Sequence, residues 1–268
     1  MDLLALAQEC IAEGDAHIKA KRTRELAAQW KNFTGPVLPS APVTPISTPG
    51  RPERPALVSP RDLHRRSLHT PEGHAALIHS IAHIEFNAIN LALDAVYRFR
   101  DMPTAYYDDW MQVAGEEAYH FQLVCAHLKS LDYDYGDFDA HNGLWEMAQK
   151  TADDPLVRMA LVPRVLEARG LDVTPGISKK LADRGDKEAV AILEIIFQDE
   201  IGHVEIGTRW FHYLCAERNL EPDATFRGLF ELHMGKVRKG RAVGAIHRDA
   251  RIAAGFSENE IAFLEGSG

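Results

Sequence analysis

The chain has 268 residues, of which 46% are hydrophobic, and it carries a formal net charge of −9 at pH 7. This negative balance argues against broad binding to nucleic acid or to an anionic membrane surface. No apolar run approaches the roughly 20 residues that span a bilayer, and no signal segment is apparent. Three scattered cysteines without a C-x-x-C pair, Cys10, Cys125 and Cys215, indicate reduced thiols and a cytoplasmic protein.

The first 69 residues divide into a helical arm and a proline-rich segment. Residues 1–34 place apolar side chains at helical spacing among many Ala, Glu and Lys, which predicts an arm of one or two amphipathic helices. Residues 35–69 contain eight of the 14 prolines, a density that excludes helix and central strand. The segment is either an extended linker or a strap across the protein, and its apolar side chains favour the strap.

Four helices are predicted within residues 70–218. Thr70 and Pro71 are typical of a helix start, and the first helix is expected to reach about residue 100. The second is predicted over about 104–131, and the fourth over about 186–218. Residues 219–268 are predicted to add one or two helices. Because no stretch alternates with the period of a strand, the fold class is predicted to be all-α.

The third of these helices carries conflicting signals. Pro163 stands four residues before Glu167, so a kink or a helix start is expected there. Residues Thr174, Pro175 and Gly176 predict a turn, and Gly185 predicts a break before the fourth helix.

Two Glu-x-x-His motifs carry the chemical signal. Glu117 and His120 lie three positions apart on the second helix, and Glu200 and His203 do the same on the fourth. Side chains at this spacing project from one helix face, one above the other. Each pair falls in an apolar stripe that predicts burial, and a buried carboxylate needs a partner. One carboxylate and one imidazole on the same face can bind one metal ion.

A glutamate precedes each motif at nearly the same distance. Glu85 lies 32 positions before Glu117, and Glu167 lies 33 positions before Glu200. The order Glu, Glu-x-x-His, Glu, Glu-x-x-His is the ligand set of ferritin-like dimetal carboxylate bundles. The sequence therefore predicts a ferritin-like four-helix bundle over 70–218, with extra helices at both ends and the proline-rich strap.

The predicted ligand set favours particular metals. Four carboxylates offset the charge of two divalent ions, and hard oxygen ligands with few nitrogens suit iron first and manganese second, whereas structural zinc prefers thiolates. The acids just before the motif glutamates, Glu116 and Asp199, are candidate hydrogen-bond partners for the ligand histidines. For Glu116 the alternative is a solvent-facing helix acid.

Longer runs of sequence resemble a known family. The run Ala82-His83-Ile84-Glu85 with residues 90–97, the motif from Gly115 to His120, and the run from Gln198 to His203 resemble the bacterial ferritin-like family labelled domain of unknown function 455. The resemblance covers most of the chain. It implies a diiron centre in which Glu117 and Glu200 bridge the ions while Glu85 and Glu167 bind one ion each. A more distant similarity connects the pattern to diiron hydroxylases that modify tRNA and to bacterial multicomponent oxygenases.

Three functions compete at this point. The first is an oxidoreductase that uses two iron or manganese ions to activate O2 or peroxide and oxidise a small-molecule or modified-nucleotide substrate, with an unidentified electron donor. The second is an iron-sequestering or peroxide-removing protein without a dedicated organic substrate, and the third is a bundle without metal. The arm, strap and C-terminal helices resemble cover over a substrate pocket, which favours the enzyme. The prediction includes no membrane partner and allows a homo-oligomer.

Overall fold

The computed structural model describes residues 1–37, 42–237, 240 and 242–267, and regular secondary structure within them is helical. The all-α prediction is therefore confirmed for the described part of the chain, where a single bridge between Leu57 and Ala140 is the β-type contact. The chain forms two compact units, residues 1–149 and residues 150–268. The predicted bundle of residues 70–218 takes two ligand helices from each unit, and its assembly into one bundle stays a prediction.

The first unit is built on two long helices, α3 (Pro71–Arg98) and α4 (Thr104–Ser130), that pack against each other. α2 (Ala16–Lys31) packs on α4, and α1 (Leu3–Ala12) packs on α3. The Thr70 hydroxyl caps α3 by accepting from the Gly73 amide, and Pro71 occupies the first turn, as the sequence predicts. The helices of this unit are α1 (Leu3–Ala12), α2 (Ala16–Lys31), α3 (Pro71–Arg98), α4 (Thr104–Ser130) and α5 (Gly143–Lys150).

By length and hydropathy α3 alone, among the described residues, could cross a bilayer, yet 78% of its most apolar window is buried inside the protein. A core helix passes the same test, since its apolar side chains face other helices instead of lipid. The burial of α3 therefore explains its composition.

The three cysteines are buried free thiols in the described structure, as expected.

The proline-rich segment is held against the first unit at several points, although its residues 38–41 lie outside the described residues. The Thr44 amide donates to the Tyr97 hydroxyl at 2.8 Å, and the Trp145 indole donates to the Ser47 carbonyl at 3.1 Å. Further along, the Val58 amide donates to the Ala140 carbonyl at 2.8 Å. These contacts join the segment to α3, to α5 and to the loop before α5.

A buried lysine ties the segment to the helical arm. Lys19 is fully buried, and its ammonium donates to the Ile11 carbonyl at 2.9 Å, to the Gly50 carbonyl at 2.6 Å and to Asn90 Oδ1 at 2.5 Å. Burial lowers the pKa of Lys19 to about 7. The three acceptors match the three donors of an ammonium, so Lys19 joins α1, the proline-rich segment and α3 at one point.

Replacing Lys19 by Met is expected to lower the free energy of unfolding by about 3 kcal/mol, because three buried acceptors lose their donor. Lys21→Met is the matched control, since Lys21 is exposed and only pairs with Glu25 at 3.9 Å. That control is expected to change stability by less than about 0.5 kcal/mol. Urea denaturation of both variants measures the difference. Equal stability of the two would show that the hydrogen bonds of Lys19 do not contribute to the stability of the fold.

The second unit is organised around α8 (Lys187–Glu217). The helices α6 (Pro155–Leu161), α7 (Ala168–Asp183), α9 (Pro222–Met234) and α10 (Arg248–Ala253) pack against it. Asp186 caps α8 by accepting from the Ala189 amide, close to the predicted start. Gly185 before it has a φ of +85°, which fits the predicted break. The elements of this unit are α6 (Pro155–Leu161), a π-helical segment (Val162–Glu167), α7 (Ala168–Asp183), α8 (Lys187–Glu217), α9 (Pro222–Met234), α10 (Arg248–Ala253) and α11 (Glu258–Leu264).

Two local predictions in this unit are wrong. The turn predicted at Thr174, Pro175 and Gly176 lies inside α7, which continues through Pro175. α7 buries Leu171 on one side of this proline and Leu181 on the other while it packs against α8, so packing outweighs the missing backbone donor. The tail contains three described helices, α9 to α11, where one or two were expected.

Candidate metal centre

Three predicted ligands meet inside the first unit. Glu85 comes from α3, and Glu117 and His120 come from adjacent turns of α4; one ligand atom from each lies within 4.8 Å of the other two. His120 Nδ1 is 3.4 Å from Glu85 Oε2 and 3.5 Å from Glu117 Oε2. All three side chains are at least 97% buried. The α3/α4 cluster, as we call these three residues, forms because the apolar stripes of the two helices face each other.

The α3/α4 cluster concentrates negative charge away from water. Burial and the neighbouring Glu117 carboxylate raise the pKa of Glu85 well above its ordinary value of 4.5, and the nearby His120 ring partly opposes that rise. Two carboxylates in such a place need protons or a cation to neutralise them. A divalent ion beside His120 Nδ1 would do this with ligand atoms that are already converging.

The second unit carries the other predicted set. Glu200 and His203 lie on α8, where His203 is 1% exposed and its Nδ1 is 3.9 Å from Glu200 Oε1. Glu167 is half-buried at the last residue of the π-helical segment, and that segment packs against α8. We call Glu167, Glu200 and His203 the α8 cluster, and the approach of Glu167 to the other two stays a prediction. It is more open than the α3/α4 cluster, since the Glu200 side chain is 12% exposed.

The π-helical segment that presents Glu167 contains Pro163. Proline has no backbone N–H and cannot complete the ordinary helical hydrogen bond, and a π-helical widening is one way to accommodate the loss. The Pro163 ring lies on Gly207 of α8 so closely that a Cβ at Gly207 would come within 2.3 Å of two ring carbons. The absence of a side chain at Gly207 therefore allows the π-helical segment, which carries Glu167, to pack closely against α8.

Gly207→Ala is expected to lower the free energy of unfolding by about 1–3 kcal/mol, because the new methyl group clashes with the Pro163 ring. Gly228→Ala on α9 is the matched control: nothing lies within 4 Å of a Cβ there, so it is expected to stabilise by about 0.5–1 kcal/mol through helix propensity. Denaturant unfolding compares the two variants. Equal gains in the free energy of unfolding for both variants would show that the Pro163 ring leaves room for a methyl group at Gly207.

A buried ion pair also fixes the π-helical segment. Arg164 is fully buried and donates through Nη2 to both carboxylate oxygens of Glu260 on α11, each at 2.7 Å. Its Nε donates to Thr208 Oγ1 on α8 at 3.2 Å. Because Arg164 stands three residues before Glu167, these bonds anchor the segment on both neighbouring helices. The sequence gives no signal of this role, since an arginine between helices usually lies at the surface.

The two acids predicted to support the histidines, Glu116 and Asp199, are both half-buried. Glu116 accepts from Gln112 Nε2 at 3.0 Å on the surface of α4. Asp199 is half-buried on α8, next to Glu200. Their roles as partners of His120 and His203 stay predictions.

The first unit also has a cleft of about 430 Å³, a size typical of small-molecule sites. α3 contributes one wall through residues such as Leu77, Ser80 and Ile84, and none of the predicted ligands is among the described residues that line it. Glu85 projects about 100° around the helix from Ile84. The cleft is therefore separate from the α3/α4 cluster.

Comparisons with known proteins place the chain in a family. It belongs to the family described as "Protein of unknown function (DUF455)", whose model matches residues 12–262. It is similar to an "Uncharacterized protein" of Haemophilus influenzae, with 53% identity over 220 residues that cover 80% of this chain and 75% of the relative. No solved structure matches the chain. The resemblance to this family is thus confirmed, and the family brings no assigned activity with it.

Proposed function

We propose that this member of the DUF455 family is a ferritin-like dinuclear iron or manganese oxidoreductase that activates O2 or peroxide to oxidise or hydroxylate a substrate. The observation that carries the proposal is the α3/α4 cluster, in which two carboxylates and one imidazole converge within 4.8 Å in a buried place. The α8 cluster repeats the same three residue types in the second unit. The repeated ligand order in the sequence is the ground for pairing the clusters in one centre.

The donor set fits iron or manganese. Each cluster offers two carboxylates and one imidazole, and cysteine belongs to neither cluster, which suits a hard divalent ion of the first transition row. The raised pKa of Glu85 indicates that the charged form of this carboxylate is disfavoured at its buried position. A bound cation would remove that free-energy cost. As the resemblance to ferritin-like bundles implies, Glu117 and Glu200 would be shared between the two ions, and Glu85 and Glu167 would each hold one.

The protein's part in the reaction is to hold ligands and exclude water. When bound, the ion pair supplies the electrons that reduce O2 or peroxide. Burial of His120 and His203 restricts the orientation of both imidazoles and shields the two rings from bulk solvent. We place this activity in the cytoplasm, with a small-molecule or modified-nucleotide substrate and an unidentified electron donor.

An anaerobic titration with Fe(II) followed by O2 tests the proposal against iron storage. An oxidoreductase is expected to take up two ions per chain and to oxidise no more iron after saturation, whereas a storage protein continues well beyond two. Glu205→Gln is the matched control, because Glu205 is a half-exposed acid of α8 that pairs with Arg209 at 3.5 Å. It should behave as wild type. If wild type bound no Fe(II), the third function, a structural bundle without metal, would be the one that remains.

A further inference from the structure

We propose that the cleft of about 430 Å³ in the first unit binds an uncharged, apolar small molecule that carries one hydrogen-bond acceptor. α3 forms one wall of this cleft, residues 63–68 of the proline-rich segment form the second, and residues 138–144 around the start of α5 form the third. We call the site the α3 cleft. It shares no described residue with the predicted metal ligands, so its ligand does not depend on the proposed oxidoreductase.

Backbone contacts fix the three walls of the α3 cleft to one another. The Thr70 hydroxyl donates to the Ser67 carbonyl at 2.9 Å, which holds the proline-rich segment on the start of α3. Gly73 allows this approach, since a Cβ at Gly73 would overlap the Ser67 carbonyl oxygen. The Ala140 amide donates to the Ala56 carbonyl at 3.0 Å, which joins the third wall to the same segment. The cleft is therefore formed before a ligand binds, as most small-molecule sites are.

The walls of the α3 cleft present apolar surface to solvent. Ala76, Ser80 and Ile84 follow one another at intervals of four, so they share one face of α3. Ile84 is 50% exposed, although most of α3 is buried. Leu63 and Leu68 line the cleft from the proline-rich segment, and both are half-buried. An apolar ligand would remove this surface from water, which is the main favourable contribution to binding that the walls offer.

The polar side chains that α3 contributes to the cleft have their donors in use. His83 Nδ1 lies 2.9 Å from the Tyr135 hydroxyl oxygen, and His83 Nε2 lies 3.0 Å from the His141 carbonyl oxygen. The Ser80 hydroxyl donates to the Leu77 carbonyl at 2.7 Å. Because these N–H and O–H groups are already bonded, α3 has no spare donor for a ligand.

His141 keeps one donor for a ligand. Its Nδ1 accepts from the Gly143 amide at 3.2 Å, which places the ring proton on Nε2. Nε2 has no hydrogen-bond partner among the described residues, and it is not one of the buried unpaired atoms, so a ligand can reach it. A single acceptor oxygen on the ligand matches this single N–H.

Charge disfavours an ionic ligand. Arg66 and Asp139 are the charged residues of the described lining, and their formal charges cancel. The Arg66 guanidinium is also in use, because its Nε donates to Glu72 at 2.8 Å and its central carbon lies 5.0 Å from the centre of the Phe138 ring. An anion would therefore meet no unpaired positive charge and would be repelled by Asp139. A cation would lose hydration against the apolar walls.

The volume of the α3 cleft sets the size of the ligand. At roughly 30 Å³ per water molecule, the cleft corresponds to about 14 waters. A ligand of about 9 to 14 non-hydrogen atoms would displace them, if each atom takes roughly the volume of one water. An alcohol or ketone with a medium-length carbon chain meets the requirements of size, charge and hydrogen bonding together.

Calorimetric titration of the purified full-length protein with three eight-carbon probes tests the proposal. 1-Octanol is expected to bind once per chain and at least tenfold more tightly than octanoate or octylammonium, which have the same carbon chain. 1-Hexanol should bind about 15-fold more weakly than 1-octanol, since each buried CH2 group contributes about fourfold in affinity. Octanoate or octylammonium that binds as tightly as 1-octanol, or no binding of 1-octanol, would overturn the proposal.

A charge placed on the α3 wall tests the location of the site. Ile84→Lys is expected to weaken 1-octanol binding at least tenfold, and because Ile84 is 50% exposed the variant should fold, which circular dichroism checks. Ile18→Lys is the matched control: Ile18 is 48% exposed on α2 of the same unit and is not among the described lining residues. It should bind 1-octanol as wild type does. Equal affinity of the two variants for 1-octanol would place the ligand elsewhere and overturn the proposal.

A third variant tests the hydrogen bond. His141→Phe keeps an apolar ring in the cleft but removes Nε2, so 1-octanol should bind about fivefold more weakly than to wild type. 1-Octanol affinity equal to that of wild type would overturn the assignment of the ligand's acceptor to His141.

Discussion

Chelation of bound metal is expected to lower the melting temperature of the protein by about 10 °C. Ions that bind only the folded state stabilise it by about 4 kcal/mol when their free concentration is about 1,000 times Kd. For a chain of this size each kcal/mol moves the melting temperature by about 2–4 °C. Removing the ions also leaves Glu85 and Glu117 adjacent in a buried place. Thermal melts with and without chelator measure the shift, and superimposable melts would contradict it.

The metal-free protein should show a matching pH dependence. The pKa of Glu85 in the folded state is raised above its ordinary value of 4.5, so the folded chain holds a proton that the unfolded chain releases. The stability that this proton contributes is complete below pH 4.5 and is lost as pH rises through the folded pKa. Glu85→Gln should therefore melt at a higher temperature than metal-free wild type at pH 7 and should weaken metal binding.

The control for this variant is Glu205→Gln, which removes a half-exposed acid of α8 and should leave the metal-free melting temperature unchanged. Glu167→Gln is expected to act as Glu85→Gln does, but more weakly, because Glu167 is only half-buried. If metal-free Glu85→Gln were no more stable than metal-free wild type at pH 7, charge repulsion in the α3/α4 cluster would be excluded as a source of strain.

Ligand substitutions should divide into two classes. Glu117→Ala and Glu200→Ala are expected to reduce metal content from two ions per chain to fewer than about 0.3, because a bridging carboxylate serves both ions. His120→Ala and His203→Ala are expected to leave close to one ion per chain, since each imidazole serves one. Elemental analysis after dialysis measures the content, with circular dichroism to show that each variant is folded. Retention of both ions in Glu117→Ala or Glu200→Ala would contradict the bridging assignment.

The strongest sequence signals were those in which several local rules agree. α3 begins at Pro71 as predicted, because a capping threonine, a proline in the first turn and a long apolar stripe all specify the same start. The pairing of Glu85 with the Glu117 motif could also be predicted, because the order of glutamates and histidines in the sequence matches the ligand order of ferritin-like bundles. The meeting of the α3/α4 cluster in one buried place follows from those patterns.

Other features could not be read from the chain, because they depend on partners distant in sequence. Pro175 signals a turn locally, but burial of α7 against α8 overrides it. The ion pair of Arg164 with Glu260 joins residues 96 positions apart. Glu260 completes a capping box with Ser257 at the start of α11, and that motif does not indicate an arginine partner. The π-helical segment that contains Pro163 is likewise specified by no propensity scale.

Metal analysis of the purified full-length protein, followed by a spectrum of the reduced form before and after exposure to O2, tests the central claim most directly. The expected result is two iron or manganese ions per chain with spectroscopic signs of magnetic coupling between them. A protein that retains fewer than about 0.2 transition-metal ions per chain after reconstitution with excess Fe(II) or Mn(II), or that binds two ions without coupling between them, would contradict a dinuclear centre.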